Sequence, residues 1–367
     1  MTRRRRALLA VPAVLLACAL TACGEKQEPT TASGRAAAER VDLMLDYVPN
    51  ADHAGLYAAL DAGLYKQAGL DVKLQPPPDP AAPLKFLVAG RADVAISYQP
   101  ELLLARDAGE DGIVSVGALV QKPLTSLMSL PSGGVKTPKD LAGKRVATSG
   151  IPYQSAYLQT ILEQAGVDAN SVQEINVGFN LTQAMISERA DASLGSFWNY
   201  EGVDLQRRDL DPVILRMEEI GVPTYNELIF VARRQDLDAA GASRLRRFLS
   251  ATAAGHRLLR ENPQAGVDAL LKADKGLDAG LQKASIEATL PVFFPEPKTG
   301  QDRAAPSTTA PPSNADLPWG WQEPIDWAAY ERWMRAENLL TRPPSEASPL
   351  TNEFLPGEGL GESSRNR

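Results

Sequence analysis

The sequence predicts an α/β protein of two lobes facing each other across a cleft, and three observations carry that prediction. Short apolar strands alternate with helix-length segments from residue 41 to about 120, the mark of a mostly parallel sheet flanked by helices. The alternation begins again at Ser126 and runs to about 217. The apolar stretch Leu228–Ala232, followed by two long helical segments, then carries the chain back to the first lobe. The lobes are therefore expected to be discontinuous, with 41–125 and 229–341 in the first and 126–228 in the second. Two chain crossings make a hinge, and the space between the lobes is a natural place for a ligand.

The elements follow in order. Val41, Leu43 and Leu45 share one face of a strand that Pro49-Asn-Ala-Asp-His53 ends. A helix starts near Ala54, with Asp52 as a cap and Gly63 as its stop. Strand 70–74, the stiff connector Pro76–Pro80, helix 81–89, strand 93–97, helix 100–108 and strand 113–119 complete the first run. In the second run, strand 126–130 precedes Thr137-Pro138, a cap followed by proline at the first helical turn. Strand 144–148, helix 154–165, strand 172–177, helix 181–189, strand 191–195 and a strand near 213–217 come next. Helices at about 236–260 and 263–290, a loop at 298–317 and an amphipathic helix Trp327–Leu340 close the fold. Residues 342–367 read as a polar, frayed tail, and no repeat of fixed period is present.

The amino terminus carries a different message. Arg3–Arg6, the apolar run Ala7–Leu20 and the small residues before Cys23 describe a secretory signal over residues 1–22. The apolar run is shorter than the ~20 residues of a membrane-crossing helix. Leu20-Thr-Ala-Cys23 resembles the lipobox of bacterial lipoproteins, in which the cysteine is diacylated and becomes the first residue. An ordinary signal peptide with an incidental cysteine is the alternative. Two acyl chains supply stable anchoring, which places the protein on the extracytoplasmic face of the cell membrane. Residues 23–40 are small and polar, as a flexible tether should be.

Composition excludes several classes. The chain of 367 residues has a formal net charge of −7, and loss of the leader arginines makes the mature part more acidic still. Such a surface disfavours nucleic acid and anionic membranes. The second cysteine, Cys18, lies within the leader, so the mature chain has no disulfide or thiolate metal site. With two histidines in all, a histidine-rich metal site is excluded, and no metal or cofactor is expected. There is no Gly-x-Ser-x-Gly elbow, His-Glu-x-x-His or phosphate loop.

In open α/β sheets the ligand lies outside the carboxyl ends of the strands. The loops there are Asp46–His53, Ser97–Glu101, Ser149–Gln154, Ser196–Gly202 and Val222–Glu227. None contains lysine or arginine, while carboxylates and aromatics recur. A nitrate, sulfonate or phosphate site usually recruits arginine or lysine, although helix amino termini can hold anions without them. Aromatic faces beside carboxylates suit a flat heterocycle bearing amino groups.

Leu45–Tyr57 (LDYVPNADHAGLY) is similar to the opening motif of the thiamine-pyrimidine family, and Asp93–Arg106, Gly195–Val203 and Gly221–Ala232 add to the resemblance. That family includes ABC-transporter binding proteins for formylaminopyrimidine precursors and the fungal pyrimidine synthases. The resemblance spans roughly 41–290 and implies a two-lobed periplasmic-binding-protein fold of type II. It also implies an aminopyrimidine ligand and ABC permease and ATPase subunits as partners. A relative that binds riboflavin-type rings shares the opening motif, as do more distant alkanesulfonate and nitrate binders.

The resemblance places His53 at the ligand and carboxylates at the positions of Asp46 and Glu201, to meet the amino edge of a pyrimidine. Candidate ligand-binding residues are Asp46, Tyr47, Asn50, His53, Ser97, Tyr98, Trp198, Glu201 and Tyr225, with Cys23 the lipidation site. Trp198, in Phe-Trp-Asn-Tyr at a strand end, reads as a stacking platform, and Tyr225 as a hinge residue. Each has a plainer reading: His53 as a helix-start residue, Trp198 as core, Asp46 and Glu201 as loop caps. His256 is expected to be structural or solvent-facing, and Trp319, Trp321, Trp327 and Trp333 to pack the last helix. In the fungal synthases the histidine matching His53 is a consumed reactant, aided by iron and a cysteine-rich motif. The cysteines of this chain do not supply that motif, so a binder is expected rather than an enzyme.

Overall fold

The computed structural model describes residues 38–295 and 317–357. The signal peptide, Cys23, most of the tether, nearly all of the 298–317 loop and the end of the tail lie outside the described residues. The first run of the chain holds β1 (Glu39–Met44), α1 (Ala54–Asp61), α2 (Leu64–Gln67), β2 (Leu70–Gln75) and α3 (Pro83–Val88). It continues with β3 (Val94–Ser97), α4 (Gln99–Asp107) and β4 (Ile113–Val120). The middle run holds β5 (Thr125–Ser129), β6 (Arg145–Thr148), α5 (Pro152–Ala165), β7 (Gln173–Asn176) and α6 (Leu181–Ile186). After it come β8 (Ala192–Phe197), α7 (Glu201–Arg207) and β9 (Val213–Arg216). The chain returns through β10 (Leu228–Arg233) to α8 (Ala239–Glu261), α9 (Pro263–Ala273), α10 (Ala279–Phe293) and α11 (Pro324–Ala336).

Two five-stranded sheets result, ordered β2-β1-β3-β10-β4 and β7-β6-β8-β5-β9. They share one plan. Three strands are parallel, and the fourth place is filled by an antiparallel strand arriving from the other lobe: β10 in the first sheet, β5 in the second. The inner strands are apolar because both of their faces are covered, and β3 and β4 are buried along their whole length; the edge strands β2 and β7 keep polar, exposed positions.

The returning helices pack on the first sheet. α8 lies against α1 at a very close crossing, where a Cβ on Gly255 would stand 2.3 Å from the Gly55 carbonyl oxygen. His256, next along α8, covers Gly55 and stacks on Trp319 with ring centres 4.2 Å apart. Its Nδ1–H donates to the Thr252 carbonyl, and burial pushes its pKa down to about 4, so it is a neutral core group.

Three sequence expectations are corrected. The single helix expected at 263–290 is two, because Asp274-Lys-Gly-Leu-Asp278 interrupts it and Asp278 caps α10 through the Leu281 N–H. The loop expected at 196–202 is cut short by α7, which starts at Glu201. The segment after Arg342 is not a frayed polar tail up to residue 357. Leu350, Phe354 and Leu355 are buried, and Pro349 and Thr351 bond the backbone of Ser115 in β4. Polar neighbours hide these anchors in the composition. Among the described residues no helix is long and apolar enough to cross a membrane.

Candidate ligand-binding cleft

The loops that follow β1, β3, β6 and β8 converge between the sheets. Asp46, Tyr47, Asn50 and Tyr98 line the space from the first sheet's side; Ser149, Ile151, Tyr153, Gln154, Gly195, Phe197, Tyr200 and Glu201 line it from the second's. No lysine or arginine is among them. The free volume is about 20 Å³, little more than one water needs. A wider depression of about 580 Å³ lies beside the hinge, between Gln121, Tyr225, Arg257 and Trp319. It lies off the strand ends that gather the polar groups.

Asp46 is held from behind. Tyr98 OH donates to its Oδ2 at 2.9 Å, and His53 Nε2 lies 2.8 Å from Oδ1. The Asn50 N–H points at His53 Nδ1, 3.3 Å away, so Nδ1 accepts and Nε2 carries the hydrogen given to Asp46. His53 is fully buried and does not line the cleft; it orients the carboxylate that does. Asn50 fixes the turn by accepting the Asp52 N–H on its Oδ1. Ser97 likewise sits behind the wall, donating to Glu101 at 2.6 Å.

Across the cleft, Glu201 folds back to accept the Phe197 N–H at 2.8 Å. Desolvation by the surrounding protein pushes its carboxyl up to about 7, with the nearby Asp52 adding to the shift. Gly195 forms the floor at φ +114°, and a Cβ there would meet Gln154 Nε2 at 2.2 Å. Gln154 is itself pinned by the Ser149 N–H. The lobes touch over the cleft, where Tyr47 OH donates to the Phe179 carbonyl and the two rings meet edge to face at 4.8 Å. Tyr98 packs against Tyr153 and Phe197.

Two expected site residues lie elsewhere. Trp198 turns away from the cleft: its Nε1–H donates to the Pro123 carbonyl and the Arg216 guanidinium covers its ring at 4.1 Å. Tyr225 is buried at the hinge, donating to Glu227. Sequence reading missed Ser149, Ile151, Tyr153, Gln154, Gly195, Phe197 and Tyr200, although all but Gly195 fall inside the loops it marked. Regular strand alternation could not have found them in β8, because the register shifts at Gly195 and Ser193 and Ser196 hydrogen-bond on one face.

Two open α/β sheets that exchange their fourth strands around a hinged polar cleft define a solute-binding protein of the two-lobed periplasmic type. The profile of the NMT1/THI5-like family matches residues 50–266, and the chain belongs to that family. It is 31% identical to the formylaminopyrimidine-binding protein of Halalkalibacterium halodurans over 86% of this chain and 91% of that one. It is 25% identical to the 4-amino-5-hydroxymethyl-2-methylpyrimidine phosphate synthase of Legionella pneumophila, over 69% of this chain and 80% of the other. Among solved structures, the alkanesulfonate-binding protein of Xanthomonas axonopodis pv. citri bound to MOPS superposes with a TM-score of 0.60. That match has 19% identity and covers 86% of this chain and 98% of that one.

Proposed function

We propose that the chain is the solute-binding lipoprotein of an ABC importer, anchored outside the cell through Cys23, and that its cleft captures a thiamine pyrimidine precursor of the formylaminopyrimidine or hydroxymethylpyrimidine type. The observation that carries this reading is a cleft lined by two carboxylates from opposite lobes, Asp46 and Glu201, among five aromatic rings and no basic side chain. A ring with amino groups along its edge can donate to both carboxylates and stack on the aromatics. The similarity to a formylaminopyrimidine-binding protein supports the same ligand class.

The synthase reading asks His53 to react. Here both of its ring nitrogens are engaged and it stands behind Asp46, fully buried, which favours a positioning role and release of the ligand unchanged.

Calorimetry with formylaminopyrimidine, 4-amino-5-hydroxymethyl-2-methylpyrimidine, taurine, nitrate and phosphate tests the ligand class. Aminopyrimidines should bind on the order of 100-fold tighter than any anion, the value of one or two charge-assisted hydrogen bonds. Tight anion binding with no aminopyrimidine response would reject the reading. The anchor is tested by Cys23→Ser, which should move the protein from the membrane fraction to the soluble one, because diacylation needs that thiol. Retention of the variant in membranes would reject the lipobox.

A further inference from the structure

Behind the cleft the two lobes meet through Asp52 and Asn199. Asp52 lies in the single 3₁₀ turn Ala51–His53, and Asn199 in the bend between β8 and α7; both are buried. Asn199 Nδ2 donates to Asp52 Oδ1 at 2.6 Å and to Thr289 Oγ1 at 2.7 Å. The Thr289 hydroxyl spends its own hydrogen on the Ser285 carbonyl at 2.6 Å. Both amide hydrogens of Asn199 are thus used. Two oxygens of the pair, Asp52 Oδ2 and Asn199 Oδ1, are buried with no hydrogen-bond partner.

Both partnerless atoms are acceptors while Asp52 is ionised, and a buried acceptor without a donor has lost its water with nothing in return. One proton removes both defects. On Asp52 Oδ2 it turns that oxygen into a donor, and Asn199 Oδ1, on the amide already bonded to the same carboxyl, is its matching acceptor. We propose that the lobes are latched by a carboxylic acid–amide pair between Asp52 and Asn199, so that closure takes up one proton at Asp52 and opening returns it to solvent.

The surroundings agree. The titratable groups facing Asp52 are His53 on its own turn, Asp46 from the loop after β1, and Tyr200 and Glu201 from the second lobe. The face that α10 buries here carries Gln282, Ser285 and Thr289, none of which titrates. Burial above all, with the Asp46 charge adding, pushes the Asp52 carboxyl up to about 7. In an open, hydrated cleft it returns toward the ordinary value of about 4. A raised value means that the protonated form favours the closed state. The latch is at full strength below about pH 4, weakens through the interval, and is gone above about pH 7. It does not depend on which ligand the cleft takes.

Asp52→Asn keeps a closed pair, amide to amide, without the proton. Formylaminopyrimidine is titrated into the wild type and this variant near pH 6, in buffers of differing ionisation enthalpy. The wild type should take up about one proton more per ligand than the variant; equal uptake overturns the latch. If neither protein gives heat, the ligand reading fails, and small-angle scattering of the ligand-free proteins decides the latch. The wild type should be compact near pH 4 and expanded by about pH 6, Asp52→Asn should stay compact, and Asn199→Ala should be expanded throughout. A wild type that does not respond to pH, or an Asp52→Asn profile that follows it, overturns the proposal.

Discussion

Glu227→Ala is expected to destabilise the protein by about 4 kcal/mol or more, the largest loss from any single truncation near the hinge. Glu227 is fully buried at the end of the returning crossing, just before β10. Its carboxylate accepts the N–H groups of Leu124 and Thr125 at 2.7 and 2.8 Å, the Thr125 hydroxyl at 2.9 Å and the Tyr225 hydroxyl at 3.0 Å. Leu124 and Thr125 end the outgoing crossing, so one side chain ties both crossings together. Alanine leaves four donors facing a dry cavity. Glu227→Gln keeps the volume but turns an N–H₂ toward donors, and should lose about 1–3 kcal/mol. Urea unfolding measures both. An alanine variant within about 1 kcal/mol of wild type would mean that the hinge readily repacks or hydrates.

The second large effect falls on affinity. Asp46→Ala should weaken aminopyrimidine binding on the order of 100-fold, because it removes a charged acceptor and strands the His53 Nε2–H and the Tyr98 hydroxyl. His53→Ala should lose almost as much without touching the ligand, since it frees Asp46 to rotate. Glu201→Gln should cost roughly 10-fold, and Trp198→Ala less than about twofold, as its ring is engaged by Arg216 outside the cleft. Titration calorimetry on the four variants reads the order directly. A Trp198→Ala loss exceeding that of Asp46→Ala would place the ligand elsewhere.

The architecture was legible because strand and helix periods are local. The strand at 70–74 and the turn at Gly63, whose φ is +70°, needed only a few neighbouring residues to identify. The loops that build the cleft were legible for a related reason: in an α/β sheet the carboxyl ends of the strands gather at one edge. Which side chains in those loops face inward was less so. Trp198 drew attention by size, yet it is Phe197, one residue earlier, that lines the cleft. Pairings at long range left no local trace. Nothing near Glu227 marks its bonds to Leu124, more than a hundred residues away, and nothing near Asp52 marks Asn199. His53 was legible as a residue of the site but not as the one behind it, because depth is fixed by the chain folding over it.

The strand exchange between the sheets also sets an order of assembly. β4 is an eight-residue strand buried at every position, and among the described strands β10 alone pairs with it. More than a hundred residues separate the two. A chain emerging amino end first therefore presents β4 long before its neighbour exists, and its other flank waits longer still for Leu350. During that interval an apolar ribbon with free backbone donors and acceptors is open to wrong pairing, the situation that invites aggregation. A polypeptide threaded across a membrane before it folds meets this hazard on the far side, all at once, and gains from finishing synthesis before it begins to collapse.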